Sequence, residues 1–137
     1  HTIFSMIIGK KILLVEDDQF IRELYELYLK EMNYTIVTSV NGKEAVEKFK
    51  NEVFDLILLD ILLPEKDGIS VLADVKKLND KVPVVMLTNL AQEAMIQKSF
   101  ELGAAGYLLK ARITKKDLLK EVESFLAAQE ASVNAVV

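Results

Sequence analysis

Apolar residues along this chain fall into two alternating rhythms. Short apolar or β-branched blocks recur at 12–15, 34–38, Leu56–Leu59, 82–87 and Gly106–Leu109. Leu56–Leu59 has no polar alternation, as expected of a strand covered on both faces, and 34–38 is rich in β-branched residues that favour strands. Between these blocks the apolar residues take helical spacing. Phe20, Leu24 and Leu27 align in 19–32, with Tyr28 beside them; Ala45, Val46 and Phe49 in 43–50; Leu72, Val75 and Leu78 in 69–78. A further helix fits 92–102, and a last one carries Leu118, Val122, Phe125 and Leu126. The punctuation agrees. Asn41-Gly42 is a turn signal, Pro64 and Gly68 break the following loop, and Gly103 suits a left-handed helix cap. Thr114 with Asp117 three residues on approximates a capping box. Five strands and five helices in strict alternation predict a doubly wound α/β fold, a parallel sheet with helices on both faces and right-handed crossovers.

Composition narrows the class without fixing it. The 137 residues fit one domain, and 51% apolar residues supply a core. A net charge of −4 argues against a basic nucleic-acid face. There is no cysteine, which excludes disulfides and thiolate chemistry. No apolar run approaches the ~20 residues that span a bilayer. The only histidine is His1, within a stretch 1–5 that reads as an addition ahead of a natural start at Met6. The domain is expected to run 6–128, and 129–137 is a tail too short for an output domain.

Chemistry enters where polar residues end the strands. The first strand ends in Glu16-Asp17-Asp18, the third in Asp60, the fourth in Thr88 and the fifth in Lys110. In open parallel sheets, ligands bind beyond the carboxyl ends of the strands, so these side chains should meet at one edge. Clustered carboxylates raise one another's pKa. A hard divalent cation such as Mg²⁺, which takes oxygen ligands, relieves the repulsion. Each residue alone has an ordinary reading. Asp18 is as well suited to capping the first helix, Thr88 to lining a strand, Lys110 to facing solvent, and Tyr107, Met95 and Phe100 to packing.

Taken together, Leu13-Leu14-Val15-Glu16-Asp17-Asp18, Asp55-Leu56-Ile57-Leu58-Leu59-Asp60, Leu63-Pro64 with Asp67-Gly68, Met86-Leu87-Thr88 and Tyr107-Leu108-Leu109-Lys110 resemble the signature of bacterial two-component response-regulator receiver domains. The resemblance covers roughly 10–126 and is similar to the single-domain, chemotaxis-Y-like type. It implies a flavodoxin-like sheet in strand order 2-1-3-4-5. It also implies a phosphoacceptor at Asp60, a direct metal ligand at Asp17 and a neighbour, Glu16, that usually acts through water. Leu62 would offer its backbone carbonyl to the metal, Thr88 would bond a phosphoryl oxygen, and Lys110 would pair with the acceptor or the phosphoryl group. Thr88 and Tyr107 would form a switch that changes contacts on the face of the fourth helix, fifth strand and fifth helix. Further implications are a sensor histidine kinase or histidine phosphotransfer protein as donor and a downstream protein as target. The protein would be cytoplasmic, monomeric or weakly dimeric when phosphorylated, with no direct nucleic-acid or membrane role. It would be no enzyme beyond slow self-dephosphorylation.

Two departures stand out. The family usually places a cis-proline after the lysine; here Ala111 follows, and a cis bond to a non-proline costs about 2.5–4 kcal/mol. Either the loop bears that strain or it is rebuilt around a trans bond. Asn89 stands where a small residue is common, and Leu62 and Leu90 add apolar bulk that would hinder an attacking water. Other functions fit less well. A hydrolase using an aspartyl-phosphate needs a general acid two residues after the nucleophile, where Leu62 stands. A flavin carrier needs a phosphate-cradling loop that Glu16-Asp17-Asp18 would repel. A phosphorylation-independent interaction module is the remaining alternative.

Overall fold

Three apolar strands lie at the centre of the sheet because their residues are buried on both sides. This computed structural model describes residue 7 and residues 9–135, with side chains among these through residue 130; the stretch 1–5 and the start at Met6 lie outside them. The elements are β1 (Lys11–Val15), α1 (Gln19–Lys30), β2 (Thr35–Ser39), α2 (Gly42–Asn51), β3 (Leu56–Leu59), α3 (Gly68–Leu78), β4 (Val84–Thr88), α4 (Glu93–Glu101), β5 (Gly106–Leu109) and α5 (Lys115–Ala135). The sheet is parallel, in the order β2-β1-β3-β4-β5, a doubly wound, flavodoxin-like architecture. The helix α5 continues through most of the segment read above as a tail. Element ends otherwise differ from the periodicity by one or two residues. Pro83 delays β4 to Val84, and a left-handed Asn33 ends the first helical segment early.

The two-residue period of the strands sorts the core into two layers. Leu13, Val15, Ile57, Leu59, Val84 and Met86 face α2 and α3, meeting Ala45, Phe49, Val71, Leu72 and Val75. Ile12, Leu14, Leu56, Leu58, Val85 and Leu87 face α1 and α5, meeting Leu29, Leu118, Val122 and Leu126. Truncating one such buried leucine to alanine costs about 2–5 kcal/mol, so these layers hold the strand register firmly. That register pairs Val15 with Leu59, Leu59 with Met86 and Thr88 with Leu109. The residues that follow the central strands therefore emerge together at one edge. Among the described residues no helix is long and apolar enough to cross a membrane.

Among the described helices α1–α5, four starts are capped by side chains. Asp18, Asn41 and Asp67 accept from the N–H groups of Ile21, Glu44 and Ser70 at 2.9, 2.7 and 2.9 Å. Thr114 and Asp117 cap α5 reciprocally, at 3.1 and 3.2 Å. The exception is α4, whose N-cap Gln92 makes no side-chain cap bond.

Candidate functional site

Each polar residue at the edge is held by the strand that delivers it. The Glu16 N–H donates to the Ser39 carbonyl of β2 at 3.0 Å, and the Asp60 N–H to the Val15 carbonyl of β1 at 3.1 Å. The ladder thus runs one residue past both strands and fixes both acids. Lys110 is placed likewise, its N–H donating to the Thr88 carbonyl at 2.9 Å. Across this frame the Lys110 Nζ donates to Glu16 Oε1 at 2.5 Å and to Asp60 Oδ2 at 2.7 Å. The remaining carboxylate oxygens have partners too. Asp60 Oδ1 accepts from the Ile61 N–H at 2.7 Å, and Glu16 Oε2 from the Asp18 N–H at 3.1 Å.

This triad is nearly sealed from water, with side-chain exposures of 8% for Lys110, 3% for Glu16 and 8% for Asp60. Burial pushes the Glu16 carboxyl up from the ordinary carboxylate range, and the hydrogen bonds from Lys110 and the Asp18 N–H pull it only part of the way back. Burial also opposes charge on Lys110, but its bonds to Asp60 and Glu16 outweigh that and raise it above the ordinary lysine value. Lys110 is therefore a firmly held ammonium at neutral pH.

Asp17 is exposed, yet carboxylate oxygens of Glu16, Asp17 and Asp60 all lie within 4.8 Å of one another. Three carboxylates face one ammonium, so the cluster remains short of positive charge. Its all-oxygen donor set, excess negative charge and spacing fit a hard divalent cation such as Mg²⁺. Leu62 stands at the lip, its side chain 64% exposed, and no N–H among the described residues claims its backbone carbonyl.

Thr88 is fully buried at the end of β4, and its Oγ1 accepts from the Leu90 N–H at 3.4 Å. The Tyr107 hydroxyl donates to the Leu90 carbonyl at 2.6 Å. Thr88 and Tyr107 therefore bond to the same residue of the β4–α4 loop, Leu90, one at its N–H and the other at its carbonyl. Leu90 packs against the core rather than standing over the site, while Asn89 is exposed. The Lys110–Ala111 bond is trans, no cis peptide occurring among the described residues. The loop closes instead through the N–H groups of Arg112 and Ile113, which both donate to the Leu109 carbonyl at 3.0 and 3.1 Å.

Glu16 is buried and ion-paired with Lys110, a contact the sequence did not indicate. Two residues at the site escaped the sequence reading. Gly68 lets the loop after β3 pack closely, for a Cβ there would lie 1.9 Å from the Asp60 carbonyl oxygen. Its N–H donates to the Ile61 carbonyl at 2.8 Å. The sequence marked this glycine as loop punctuation and as part of the receiver-like signature, without assigning it this packing role. Arg22 donates from one nitrogen to the carbonyls of Glu16 and Asp17 at 3.0 and 3.2 Å. Nothing in the sequence separates it from a solvated helix arginine.

The comparisons agree with this arrangement. A family model described as "Response regulator receiver domain" matches residues 12–123. The chain is 36% identical over 127 residues to the transcriptional regulatory protein ResD of Bacillus subtilis, covering 91% of this chain and 52% of that one. It is 32% identical over 120 residues to the chemotaxis protein CheY of Halobacterium salinarum, covering 88% of this chain and 99% of that one. The chain thus spans about half the length of several curated relatives it matches and nearly all of another. A CheY-like receiver domain protein from Methanospirillum hungatei superposes with a TM-score of 0.86 at 31% identity, covering 90% of this chain and 98% of that one. The chain belongs to the receiver-domain family of two-component response regulators, which act as phosphorylation-driven signalling switches and bind Mg²⁺ at an acidic pocket.

Proposed function

We propose that Asp60 is the phosphoacceptor of this switch and that a sensor histidine kinase or histidine phosphotransfer protein is its donor. The observation that carries this reading is the buried Glu16–Lys110–Asp60 triad with Asp17 beside it. An Asp60 carboxylate oxygen attacks phosphorus. The bond from phosphorus to the donor's imidazole nitrogen breaks, and that nitrogen keeps the electron pair. Phosphoryl transfer asks mainly for positioning and charge neutralisation. Lys110 supplies one positive charge, already aimed at Asp60 Oδ2. Mg²⁺ held by Glu16, Asp17, Asp60 and the Leu62 carbonyl supplies further charge neutralisation when bound. The intact set disfavours a phosphorylation-independent module.

The output follows from the Thr88–Leu90–Tyr107 chain. A phosphoryl group adds negative charge and strong acceptor oxygens, and Thr88 turns its hydroxyl toward them. That releases the Leu90 N–H, shifts the carbonyl that Leu90 offers to Tyr107 and biases the α4–β5–α5 face, roughly 92–125, toward a downstream protein. This is a population shift, limited by the differential interaction of the two states. The unit acts as a domain of 6–128, in the cytoplasm, as a monomer or weak phosphorylation-dependent dimer, without inserting in a membrane or reading nucleic acid. It loses its phosphoryl group slowly, with Leu62 at the lip hindering water. The test is phosphorylation with a small phosphodonor and Mg²⁺, followed by mass spectrometry. Modification is expected on Asp60 alone and lost in Asp60→Asn; phosphate on Asp17 or Asp18 overturns the assignment.

A further inference from the structure

The phosphoryl chemistry leaves one cation at the acidic edge without a role. Arg22 is the fourth residue of α1, and its side chain turns back toward the loop that precedes the helix. One guanidinium nitrogen bridges two consecutive carbonyls, Glu16 at 3.0 Å and Asp17 at 3.2 Å. The same loop is tied elsewhere by the Glu16 N–H to Ser39 and by the Arg22 N–H to the Asp18 carbonyl at 2.9 Å. The peptide that carries the acidic pair is therefore held from β2, from the backbone of α1 and from the Arg22 side chain. A guanidinium is permanently charged and planar, so its bonds to neutral carbonyls are charge-assisted.

We propose that Arg22 is a positioning residue for divalent-cation binding: by bridging the Glu16 and Asp17 carbonyls it fixes the backbone from which both carboxylates project. The cation then meets a preformed pair instead of ordering a loop. Arg22 cannot be a ligand, because it carries the same sign of charge as the cation. That charge on its own weakens cation binding, whereas the positioning strengthens it. The two contributions have opposite signs, so substitution separates them. Arg22→Lys keeps the charge and loses the planar fork; Arg22→Met loses both. The assignment rests on the acidic cluster being the Mg²⁺ site.

The test is a Mg²⁺ titration of the full chain without phosphodonor, followed by amide NMR shifts of the Glu16–Asp18 loop. Groups that orient metal ligands from outside typically change affinity by about 10–100-fold. Arg22→Lys is expected at the low end, with a Mg²⁺ dissociation constant raised about tenfold. Arg22→Met is expected to show a smaller rise, since loss of the repelling charge offsets part of the effect. In metal-free Arg22→Lys the Asp17 and Asp18 amides should exchange faster, which a role confined to global stability would not single out. A constant within about twofold of the unaltered protein in Arg22→Lys overturns the assignment, as does tighter binding in Arg22→Met. If the unaltered protein takes up no Mg²⁺, the Mg²⁺ site itself fails and this assignment with it. If it does, an unchanged constant in Arg22→Lys counts against Arg22 alone.

Discussion

The β1–β3 side of the sheet edge and the β4–α4–β5 side are built to different standards. On the first side Glu16 and Asp60 are each fixed by a strand ladder, a backbone N–H and the buried Lys110. The neighbouring helices α1, α2 and α3 each begin with an Asp or Asn cap. On the second side α4 starts at an uncapped Gln92, and its one buried residue is Ser99. By contrast α3 buries Val71, Leu72 and Val75. Local opening is easiest where few apolar contacts and weak caps hold an element. The acidic cluster thus occupies the better-capped side and α4 the less firmly held one, with Lys110 reaching across from the end of β5 to join them.

The largest effect should come from the stiff side. Lys110→Met removes the common partner of two buried carboxylates. Breaking one side of a buried ion pair costs about 3–5 kcal/mol, and about 3 is expected here because Asp17 keeps one flank open to water. Urea unfolding should show the loss, and added Mg²⁺ should recover part of it, since a cation replaces the missing charge. Equal stability of variant and parent would mean that the triad is not what holds this edge.

Gly68→Ala should come next. Its methyl group would require the Asp60 carbonyl to move, because the gap is 1.9 Å and the obstacle is backbone. Overpacking of this kind costs about 1–3 kcal/mol, and phosphorylation should fall further than stability, since the displaced peptide carries the proposed acceptor Asp60. Unaltered phosphorylation would show that the acceptor loop is softer than described.

A pair of cap variants measures the contrast directly. Asn41→Ala removes a 2.7 Å bond to the Glu44 N–H and should cost about 1 kcal/mol. Gln92→Ala should cost nothing measurable, because no cap bond exists there. Gln92→Asp should stabilise α4 by about 0.5–1 kcal/mol and slow its amide exchange. A comparable loss in both alanine variants would erase the distinction between the sides.

The smallest effect concerns pH. Burial raises the Tyr107 hydroxyl above its ordinary value, with the Asp60 charge adding to it. A group with a raised folded value contributes stability below its unfolded value, near 10, and loses it as pH climbs through the folded value. The tyrosinate no longer donates to Leu90. Amide exchange around Leu90–Glu93 should therefore quicken above about pH 10. In Tyr107→Phe the same region should exchange faster already at neutral pH, by the about 0.5–1.5 kcal/mol of one hydrogen bond, and lack the further rise. An alkaline response that persists in Tyr107→Phe would assign it to another group.

Much of this was legible in the sequence, and the gaps have physical causes. The parallel sheet and the meeting of Asp17, Asp60 and Lys110 follow from apolar runs that end abruptly in polar residues, because parallel register carries strand ends to one edge; the strand order came only from the family resemblance. The Asp18 cap was legible as one of two readings, and its bond to the Ile21 N–H decides for it. The burial of Glu16 was not legible, since it depends on Lys110 reaching across from the far edge strand. Arg22 and Gly68 act on backbone atoms, and no pattern of side-chain polarity records which carbonyl a side chain will meet. The weakness of α4 was written at Gln92 but gained meaning only against four capped neighbours.

The inward contact of α4 has a mechanical consequence. Ser99 is completely buried, and its hydroxyl donates to the Met95 carbonyl of its own helix at 2.8 Å. That bond travels with the helix, so it sets no detent against sliding over the sheet. A large apolar knob seated in a socket would have to climb out before the helix could shift. A small side chain with its polar need met internally behaves more like a bearing. Replacing such a bearing with an interlocking residue would pin α4 to the sheet as a fixed strut, and the output proposed above would lose the freedom it needs.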